Sequence, residues 1–396
     1  MREVVIVAAA RTPIGRFGGA LAALPATELG ARAIAGALVQ GGVPADAVDL
    51  VVMGHVLRAG TGQITARQAA VAAGIPMRVP AETVDKVCLS GMTAISRARD
   101  LIRTGDADLV VAGGMESMSR APYLLPGARD GYRMGDATIV DSMLADGLTC
   151  SFDGCSMGLA TERHQRARSE GPPTRGEQDA WALRSHQRAA AAAARGAFAD
   201  ELVALEVPQR RGAPLWLEAD EGVRPDTTLD SLAALRPAFE GDGTITAGNA
   251  SQISDGAAAL VLASADRARE LGLPTLATIT AWATVAGPDA SLLLQPAEAL
   301  RRATSRAGLA VGDLDLVEIN EAFASVAVMS GRALGLDEER LNVNGGAIAL
   351  GHPIGTSGAR IVVTLVHELR RRGGGMGGAA LCGGGGQGDA LTLAVG

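Results

Sequence analysis

The sequence has few aromatic side chains and no excess of basic charge. Aromatic residues make up 3% of the 396 residues, and the net charge is −7 with a pI near 5.4. Nucleic-acid-binding proteins usually carry a basic face, so this class of function is disfavoured. Charged residues amount to 20% and hydrophobic residues to 47%, which argues against disorder. Lys86 is the only lysine, and we assign no function to the preference for arginine over lysine elsewhere in the sequence.

Cysteines are also scarce. Four of them are too few and too irregularly spaced for a disulfide framework or a zinc site, and they fit a reducing compartment. The N-terminus leads directly into a strand-like stretch, Val4 to Ala9, without a signal-peptide pattern. No apolar run reaches the ~20 residues of a membrane span. We expect a soluble cytoplasmic protein with no bound metal and no nucleic-acid or membrane partner. The cysteines are Cys88, Cys150, Cys155 and Cys382.

Runs rich in valine and isoleucine alternate with alanine-rich helical stretches. Val4–Val7, Leu50–Met53 and Leu109–Ala112 are examples of such runs. This alternation is typical of an α/β fold whose strands are buried on both faces. A chain of 396 residues also exceeds one ordinary core, so two or three core units are expected.

One internal similarity organises the chain. Gly42–Val51 and Gly308–Val317 align in one register, which places Gly42 opposite Gly308. An alanine-rich helix precedes each segment, and each half later contains a turn, a helix and a strand ending in glycines. Two copies of one α/β unit explain this pattern, and a chance match of a common helix–strand pattern is the alternative.

The middle of the chain differs from both halves. It combines polar helices, such as Arg175–Arg195, with stretches rich in proline and glycine. An insertion of this length is more typical of a functional loop domain than of a linker. We therefore predict an N-terminal half at 1–118 completed by 249–270, a loop domain at 119–248 and a C-terminal half at 271–396.

Cys88 is the first candidate nucleophile. A strand-like stretch ends just before it and a helix begins at it, so the helix dipole is expected to favour its thiolate. Ser90 and Gly91 are expected to keep the first helical turn small, so that a substrate can approach. A buried structural cysteine is the alternative interpretation.

His352 is the best partner for a nucleophile among the five histidines. It lies between glycine and proline in a run of small residues, which indicates an open turn. His164 and His186 lie in polar helices, where we expect them to be solvated. His55 ends a strand and fits a packed core histidine, and His367 lies in a helix.

Two further positions carry candidate chemistry. A strand delivers Cys382 into the glycine run Gly383–Gly386, whose backbone N–H groups suit an oxyanion hole. Glycine runs also mark flexible turns. Asn320 follows the strand Asp315–Ile319, where a turn-forming role is the alternative to a catalytic one.

Together these blocks resemble the thiolase family over the whole length of the chain. Four separate blocks in the right order make the resemblance highly specific. They are VCLSG at Val87–Gly91, NEAFA at Asn320–Ala324, NVNGGAIALGHPIGTSG at Asn342–Gly358 and CGGGGQG at Cys382–Gly388. The resemblance implies a thiolase-like α/β fold of two similar halves, layered α-β-α-β-α, with a loop domain inserted in the first half.

The resemblance also implies roles for the site residues. Cys88 would carry the acyl group as a thioester, and His352 would take the proton from its thiol. His352, with a water held by Asn320, would stabilise the oxyanion of the second thioester. Cys382 would move the α-proton of the incoming acetyl unit. The backbone N–H groups of Cys88 and Gly384 would form the other oxyanion hole.

Coenzyme A thioesters are implied as substrates, with no permanently bound cofactor. The stretch Pro126–Asp136 resembles the tetramerisation loop of the short-chain, biosynthetic branch, which implies a homotetramer built as a dimer of dimers. The positions similar to the family's CoA contacts are Met157, Arg224, Ser231, Phe239, Ala247 and Ser251, with Ala322 and Phe323 lining the acyl end.

Two departures from the family pattern concern the acyl pocket. Ser156 stands where the short-chain branch usually has histidine, and Leu292–Leu294 replaces a glycine-containing segment. Both changes predict a roomier, more apolar pocket.

The leading hypothesis is an acetyl-CoA acetyltransferase that interconverts two acetyl-CoA with acetoacetyl-CoA and CoA by a ping-pong route. A degradative 3-oxoacyl-CoA thiolase with a broader acyl range is the alternative, and both imply a place in fatty acid metabolism. A decarboxylating ketosynthase is disfavoured because those enzymes use histidine or asparagine partners where this chain has Cys382. A CoA-binding scaffold would need a broken site, whereas every expected catalytic position is filled.

Overall fold

A computed structural model describes residues 2–168, 171–209 and 212–396. Its main element is one mixed sheet built from long, buried strands. The strands among the described residues are β1 (Val4–Arg11), β2 (Gly15–Arg16), β3 (Leu50–Gly54), β4 (Ala81–Val84), β5 (Leu109–Ser117), β6 (Tyr123–Leu124), β7 (Val140–Asp141), β8 (Thr149–Cys150), β9 (Cys155–Ser156), β10 (Leu205–Val207), β11 (Leu215–Leu217), β12 (Ser254–Ser264), β13 (Ala277–Ala286), β14 (Leu316–Ile319), β15 (Gly375–Gly383) and β16 (Gln387–Val395). Strands β6 to β11 lie outside the main sheet and form three two-stranded sheets, β6 with β7, β8 with β9 and β10 with β11.

Helices connect these strands and cover the sheet. They are α1 (Ala26–Gly41), α2 (Thr65–Ala72), α3 (Ser90–Thr104), α4 (Met157–Arg166), α5 (Arg175–Ala194), α6 (Leu229–Ala233), α7 (Ala265–Glu270), α8 (Gln295–Ala307), α9 (Ala324–Leu334), α10 (Ala347–Leu350) and α11 (Ser357–Arg371).

The sheet has a symmetric strand order that confirms the two similar halves. The order is β14-β15-β16-β13-β1-β12-β5-β3-β4. On either side of the β1–β13 junction the same pattern recurs, with two antiparallel pairs followed by a parallel one. Strand β12 is remote in sequence from the first half but pairs with β1 and β5, so it belongs to the first half of the sheet.

The glycines of the sequence repeat have the same conformation in both halves. Gly42 and Gly308 cap α1 and α8 in the left-handed region, with φ of 63° and 74°. Glycine adopts this conformation without a Cβ penalty, which lets each helix end and the chain turn into β3 or β14. The internal similarity therefore reflects a repeated helix–turn–strand unit.

The layers follow from which faces are apolar. Helices α1 and α2 pack on one face of the first half of the sheet, and α8 and α9 pack on the outer face of the second half. Between the two halves lies a core in which α3 and α11 contact strands of both. This arrangement is the expected α-β-α-β-α stack.

The two central helices approach each other through glycine. A Cβ added to Gly91 would lie 2.8 Å from the backbone nitrogen of Ala359, and one added to Gly358 would lie 2.5 Å from the backbone nitrogen of Met92. The expectation that Gly91 leaves room for substrate is therefore wrong. Its missing side chain instead permits backbone contact between α3 and α11.

The described residues between β5 and β12 form short strands, single turns of 3-10 and π-helix, and helices α4 to α6. Glu321 links this stretch to the second half. Its carboxylate accepts hydrogen bonds from the Trp181 indole at 2.9 Å and the Ser185 hydroxyl at 2.7 Å, both on α5. The same carboxylate accepts one from the Asn342 amide at 3.0 Å. This buried carboxylate thus fixes α5 beside the turn that carries Asn320.

Replacing Gly114 with alanine should destabilise the protein. Its added Cβ would lie 2.0 Å from the carbonyl oxygen of Gly355, which is backbone and cannot rotate away. Overpacking of this kind costs about 1–3 kcal/mol. Urea unfolding of Gly114→Ala should show a free energy of unfolding lower by that amount.

The control is Gly176→Ala, in the exposed first turn of α5, where an added Cβ meets no atom within 4 Å. It should be neutral or stabilising by up to about 1 kcal/mol, because alanine is the better helix former. Equal stability of Gly114→Ala and wild type would contradict the packing argument.

Candidate active site

Cys88 lies in a tight turn between β4 and α3. The preceding residue, Val87, has φ of +52°, which is unusual for a β-branched residue. The turn is held by Ser90, whose hydroxyl donates to the Val87 carbonyl at 2.6 Å and accepts from the Lys86 N–H at 2.8 Å. The residue as a whole is partly exposed, and its sulfur lies beside the N–H of Gly384 and the imidazole of His352.

His352 faces this thiol from the loop that precedes α11. Its Nε2 lies 3.3 Å from the Cys88 Sγ, and its Nδ1 lies 2.5 Å from the Ser357 hydroxyl. That hydroxyl donates its single proton to the Pro353 carbonyl at 3.0 Å. It therefore accepts from Nδ1–H, which leaves the Nε2 lone pair facing the thiol. The imidazole is thus in the tautomer that can remove the thiol proton.

Burial keeps this pair neutral. It raises the pKa of the Cys88 thiol to about 12, although the backbone N–H groups of Cys88 and Gly384 act in the opposite direction. Burial, followed by the charge of Arg360, lowers the pKa of the His352 imidazole to about 3. The expectation that Cys88 has thiolate character is therefore wrong, because desolvation outweighs the N–H groups that favour the thiolate.

The second thiol lies in the same site. Cys382, near the end of β15, is fully buried among Leu293, Ala322 and Phe323. Burial raises the pKa of the Cys382 thiol, and the proximity of Cys88 raises it further. The hairpin after β15 carries Gly384, whose N–H is directed at the Cys88 sulfur. The two halves of the chain thus bring both thiols together.

Asn320 lies at the end of β14 beside the histidine. It is fully buried, and its Nδ2 lies 3.5 Å from His352 Nδ1. Its Oδ1 accepts no hydrogen bond from the described residues. A buried amide oxygen without a protein donor is available to a water or a substrate.

Several predicted CoA-contact residues converge near Cys382. Ala322 and Phe323 belong to the apolar cluster that contains this thiol, and the partly buried Met157 packs against it. The Phe239 ring packs edge-on against Phe323 with centroids 6.2 Å apart. These residues form one wall that joins the loop region to the second half.

Of the remaining predicted contacts, Ser251 is hydrogen-bonded to a residue of this wall. Ser251 donates its N–H to the Ala322 carbonyl at 3.0 Å, and Ala247 is exposed nearby in sequence. Ser231 is exposed on α6. Arg224 donates its N–H to His186 Nδ1 at 3.1 Å. His186 is buried, so the expectation of a solvated side chain is wrong; burial lowers its pKa to about 4.

The two departures in the acyl pocket have structural explanations. Ser156 is the N-cap of α4, where its hydroxyl accepts from the Leu159 N–H at 3.3 Å. Leu292 and Leu293 are buried in the apolar cluster with Cys382. The leucines therefore make the region beside the second thiol more apolar.

Three positioning residues were missed by sequence reasoning. Ser357 lies inside the GHPIGTSG block but was given no role there. The backbone carbonyl of Gln252 accepts a hydrogen bond from the backbone N–H of His352 at 3.0 Å. The Gln252 side chain donates to the carbonyls of Ile348 and Ala349 in α10. Glu116 accepts from the N–H groups of Val56 and Gly355. No local pattern marks the contacts of Gln252 and Glu116, because their partners are remote in sequence. Ser357 lies only five residues from His352, and its contact depends on the conformation of the loop between them.

Glu116 also faces a second buried histidine. His55 Nε2 lies 3.4 Å from the Glu116 carboxylate. Burial raises the pKa of Glu116 to about 8 and lowers that of His55 to about 4. These shifts favour neutral forms of both groups, and the packed-core interpretation of His55 fits this position.

No cluster of histidine, cysteine, aspartate or glutamate suited to a metal ion occurs within residues 2–168, 171–209 and 212–396. In those same ranges, the helices are too short or too polar to cross a membrane.

Two thiols and a neutral imidazole, set between paired α/β halves, define a class of enzymes that transfer acyl groups through cysteine. Comparison with known proteins agrees. Residues 4–266 match the family described as Thiolase, N-terminal domain, and residues 273–395 match Thiolase, C-terminal domain. The chain belongs to the thiolase family, and the expectation of a thiolase-type acyltransferase is confirmed.

Individual relatives match over nearly their whole length. A probable acetyl-CoA acetyltransferase of Mycolicibacterium smegmatis is 56% identical over 98% of this chain and 100% of its own. The acetyl-CoA acetyltransferase of Pseudomonas aeruginosa is 53% identical over 100% of both chains. The solved structure of human mitochondrial 3-ketoacyl-CoA thiolase superimposes with a TM-score of 0.95 at 41% identity, covering 100% of this chain and 99% of that one.

Alkylation of Cys88 by iodoacetamide should be nearly independent of pH between 6 and 9. Both groups are neutral across this range, with the His352 pKa about 3 and the Cys88 pKa about 12, so the proton is transferred to the imidazole during the reaction. The reactivity of a free cysteine instead rises about tenfold per pH unit below its pKa of ~8.5. Trypsin produces the peptide Val87–Arg97, in which Cys88 is the only cysteine, so mass spectrometry can follow its alkylation.

His352→Asn is the informative control for this experiment. Without the base, alkylation at pH 7 should slow by at least about tenfold. The rate should then rise about tenfold per pH unit, because only the rare thiolate reacts. A wild-type rate that rises with this slope would show that the thiol reacts without help from the imidazole.

Proposed function

We propose that this enzyme is an acetyl-CoA C-acetyltransferase that interconverts two acetyl-CoA with acetoacetyl-CoA and CoA. The observation that carries the proposal is the 3.3 Å contact between Cys88 Sγ and His352 Nε2, with a second thiol, Cys382, in the same apolar site. Relatives at 53–56% identity bear the name acetyl-CoA acetyltransferase, which supports this substrate.

In the first half-reaction, the Cys88 sulfur attacks the acetyl carbonyl of acetyl-CoA while its proton passes to His352 Nε2. The N–H groups of Cys88 and Gly384 donate to the oxyanion that forms. Collapse of this intermediate breaks the bond to the CoA sulfur, which leaves with the proton from His352. The neutral starting pair suits this step, since no buried charge exists before the substrate arrives.

In the second half-reaction, the Cys382 thiol gives its proton to His352 Nε2, and the resulting thiolate removes the α-proton of a second acetyl-CoA. The enolate oxygen is stabilised by His352 and by a water held by Asn320, whose Oδ1 is available for this contact. The enolate carbon attacks the acetyl group on Cys88 and releases acetoacetyl-CoA. The proton on His352 neutralises the departing Cys88 sulfur, and Cys382 keeps the α-proton, so both thiols and the imidazole return to their starting forms. Thiolysis runs through the same steps in reverse.

The substrates are held by the wall that contains Met157, Phe239 and Phe323. Phe239 is 36% exposed, so its aromatic ring is available to the CoA arm. Each substrate brings its own CoA, so the reaction uses no permanently bound cofactor. We assign residues 119–248 as the loop domain that contributes Arg224, Ser231 and Phe239 to this binding surface.

We also propose a homotetramer built as a dimer of dimers, active in the cytoplasm in fatty acid metabolism. Support for the assembly comes from apolar side chains that lie exposed in and just after the stretch resembling a tetramerisation loop. Tyr132 is 47% exposed, Met134 98% and Ile139 62%. Burial of such side chains against a second dimer would stabilise the assembly.

Cys382→Ser should separate the two half-reactions. A serine hydroxyl cannot replace the thiol as the base for the α-proton, so acetoacetyl-CoA formation should fall by at least about a hundredfold. Acetylation of Cys88 by acetyl-CoA should survive within about threefold, because it needs only His352 and the first oxyanion hole. Measurement requires mass spectrometry of Val87–Arg97 and a separate assay of condensation.

The control is Cys88→Ser, which should lose both activities. Acetyl groups found only on the peptide that contains Cys150 and Cys155 would refute the assignment of the nucleophile. Equal loss of both half-reactions in Cys382→Ser would refute the division of roles between the two thiols.

A broader acyl range, as in a degradative 3-oxoacyl-CoA thiolase, is the second candidate. It is favoured by the buried Leu292 and Leu293 beside Cys382 and by the small Ser156 at the start of α4. One methylene in such a pocket is worth about 1–3 kcal/mol. We expect measurable thiolysis of 3-oxoacyl-CoA substrates with five or six carbons.

Ser156→His should narrow that range by filling the space beside the acyl group. The ratio of kcat/KM for six-carbon over four-carbon substrates should fall, as measured in a thiolysis series. Ser156→Ala is the matched control, because it also removes the N-cap hydroxyl of α4 but adds no bulk. An unchanged ratio in Ser156→His would show that Ser156 acts only as a helix cap.

A further inference from the structure

The only lysine of the chain makes the buried ion pair closest in sequence to the nucleophile. Lys86 Nζ lies 2.7 Å from the Asp389 carboxylate and 2.9 Å from the Thr284 hydroxyl. The Asp389 side chain is 2% exposed and that of Lys86 22%. The other Asp389 oxygen accepts from the Thr93 hydroxyl at 2.8 Å. Asp389 therefore binds Lys86, in the turn that carries Cys88, and Thr93, in the helix α3 that follows this turn.

This ion pair joins the two halves of the chain at the active site. Lys86 lies two residues before Cys88 in the first half, whereas Asp389 lies on β16 of the second half. Asp389 pairs with Leu381 on β15, directly beside the Cys382–Gly388 pair of the same hairpin. The hairpin turn carries Gly384. The Lys86–Asp389 ion pair thus connects the two segments that carry the Cys88 and Gly384 N–H groups, which are assigned to the first oxyanion hole.

The turn needs such an external restraint because its backbone is strained. Val87 has a left-handed conformation, and its side chain packs against Gly384, where an added Cβ would lie 3.6 Å from the Val87 methyl groups. The Ser90 hydrogen bonds restrain this turn only relative to its own helix. The ion pair of Lys86 with Asp389 restrains the same turn relative to the β15–β16 hairpin of the second half.

The chemistry of this pocket favours an ammonium group over a guanidinium. The site offers one carboxylate oxygen and one hydroxyl around a single nitrogen, while the second carboxylate oxygen is taken by Thr93. A compact ammonium with three donors fits this arrangement, whereas a planar guanidinium matches a carboxylate with both oxygens available. A chain that uses arginine at its other basic positions keeps lysine here.

We propose that Lys86 and Asp389 are positioning residues that set the distance between the Cys88 and Gly384 N–H groups across the two halves. The pair is neutral overall, so it acts through geometry and not by adding charge to the thiol. The contact between Cys88 and His352 is fixed separately, by the packing of α3 on α11. The inference rests on the acyl-transfer function proposed above.

Two reactions of Cys88 distinguish this role from a general structural one. Acetylation by acetyl-CoA develops an oxyanion and needs both N–H donors, whereas alkylation by iodoacetamide displaces iodide and forms no oxyanion. A small misplacement of a donor can cost about a hundredfold in rate. In Lys86→Met we expect acetylation to slow at least tenfold and alkylation to change less than threefold. The kcat should fall with KM for acetyl-CoA within threefold.

Further variants test the pair itself. Asp389→Asn should reproduce the selective loss, and the double variant Lys86→Met with Asp389→Asn should be no slower than the slower single variant. Lys86→Arg keeps the charge but not the fit, so it should recover less than a third of the lost rate. The matched control is Arg97→Met on α3, which removes an exposed ion pair with Glu82 within the first half. It should retain acetylation within twofold.

The outcomes separate this inference from the proposed function. If wild-type Cys88 is not acetylated, the proposed function fails before the variants are compared. If wild-type enzyme is acetylated, three results would overturn the positioning role. They are acetylation within twofold of wild type in Lys86→Met, equal slowing of acetylation and alkylation, or full recovery in Lys86→Arg.

Discussion

The site depends on one close contact, the backbone approach of α3 to α11 through Gly91 and Gly358. Cys88 lies just before the first of these helices and His352 just before the second, so the distance between the helices sets the distance between sulfur and imidazole. A side chain at either glycine would collide with the opposite backbone. Because these glycines lie in the core shared by both halves, the fold and the reacting pair are fixed by the same packing.

Dryness is the second constraint, and it follows from the first. Packing that excludes water makes charge on Cys88 or His352 unfavourable, so the resting pair is a thiol and a neutral imidazole. Charge then develops only when a substrate carbonyl is present to accept it. In such a site, oriented N–H donors act without competition from water, which explains why their placement across the two halves matters.

The duplicated architecture gives each half a different part of the chemistry. The first half carries Cys88 on a turn before a helix, and the second carries Cys382 at the end of a strand beside a glycine hairpin. The loop region contributes Met157 and Phe239 to the apolar wall. None of these three parts holds a complete site. Residues such as Glu321 and Lys86, which link the parts, are therefore needed to assemble it.

The sequence by itself determined the alternation of elements, the helix–turn–strand repeat at Gly42 and Gly308, and the blocks that contain Cys88, His352 and Cys382. These features are local, since they depend on the periodicity of apolar residues and on positions whose backbone conformation requires glycine. Only the tertiary structure decided the protonation state of the thiol, the burial of His186, the tautomer set by Ser357 and the partner of Lys86. Those properties depend on desolvation, on the loop conformation that brings Ser357 to His352, and on contacts between residues remote in the chain, which no local pattern records.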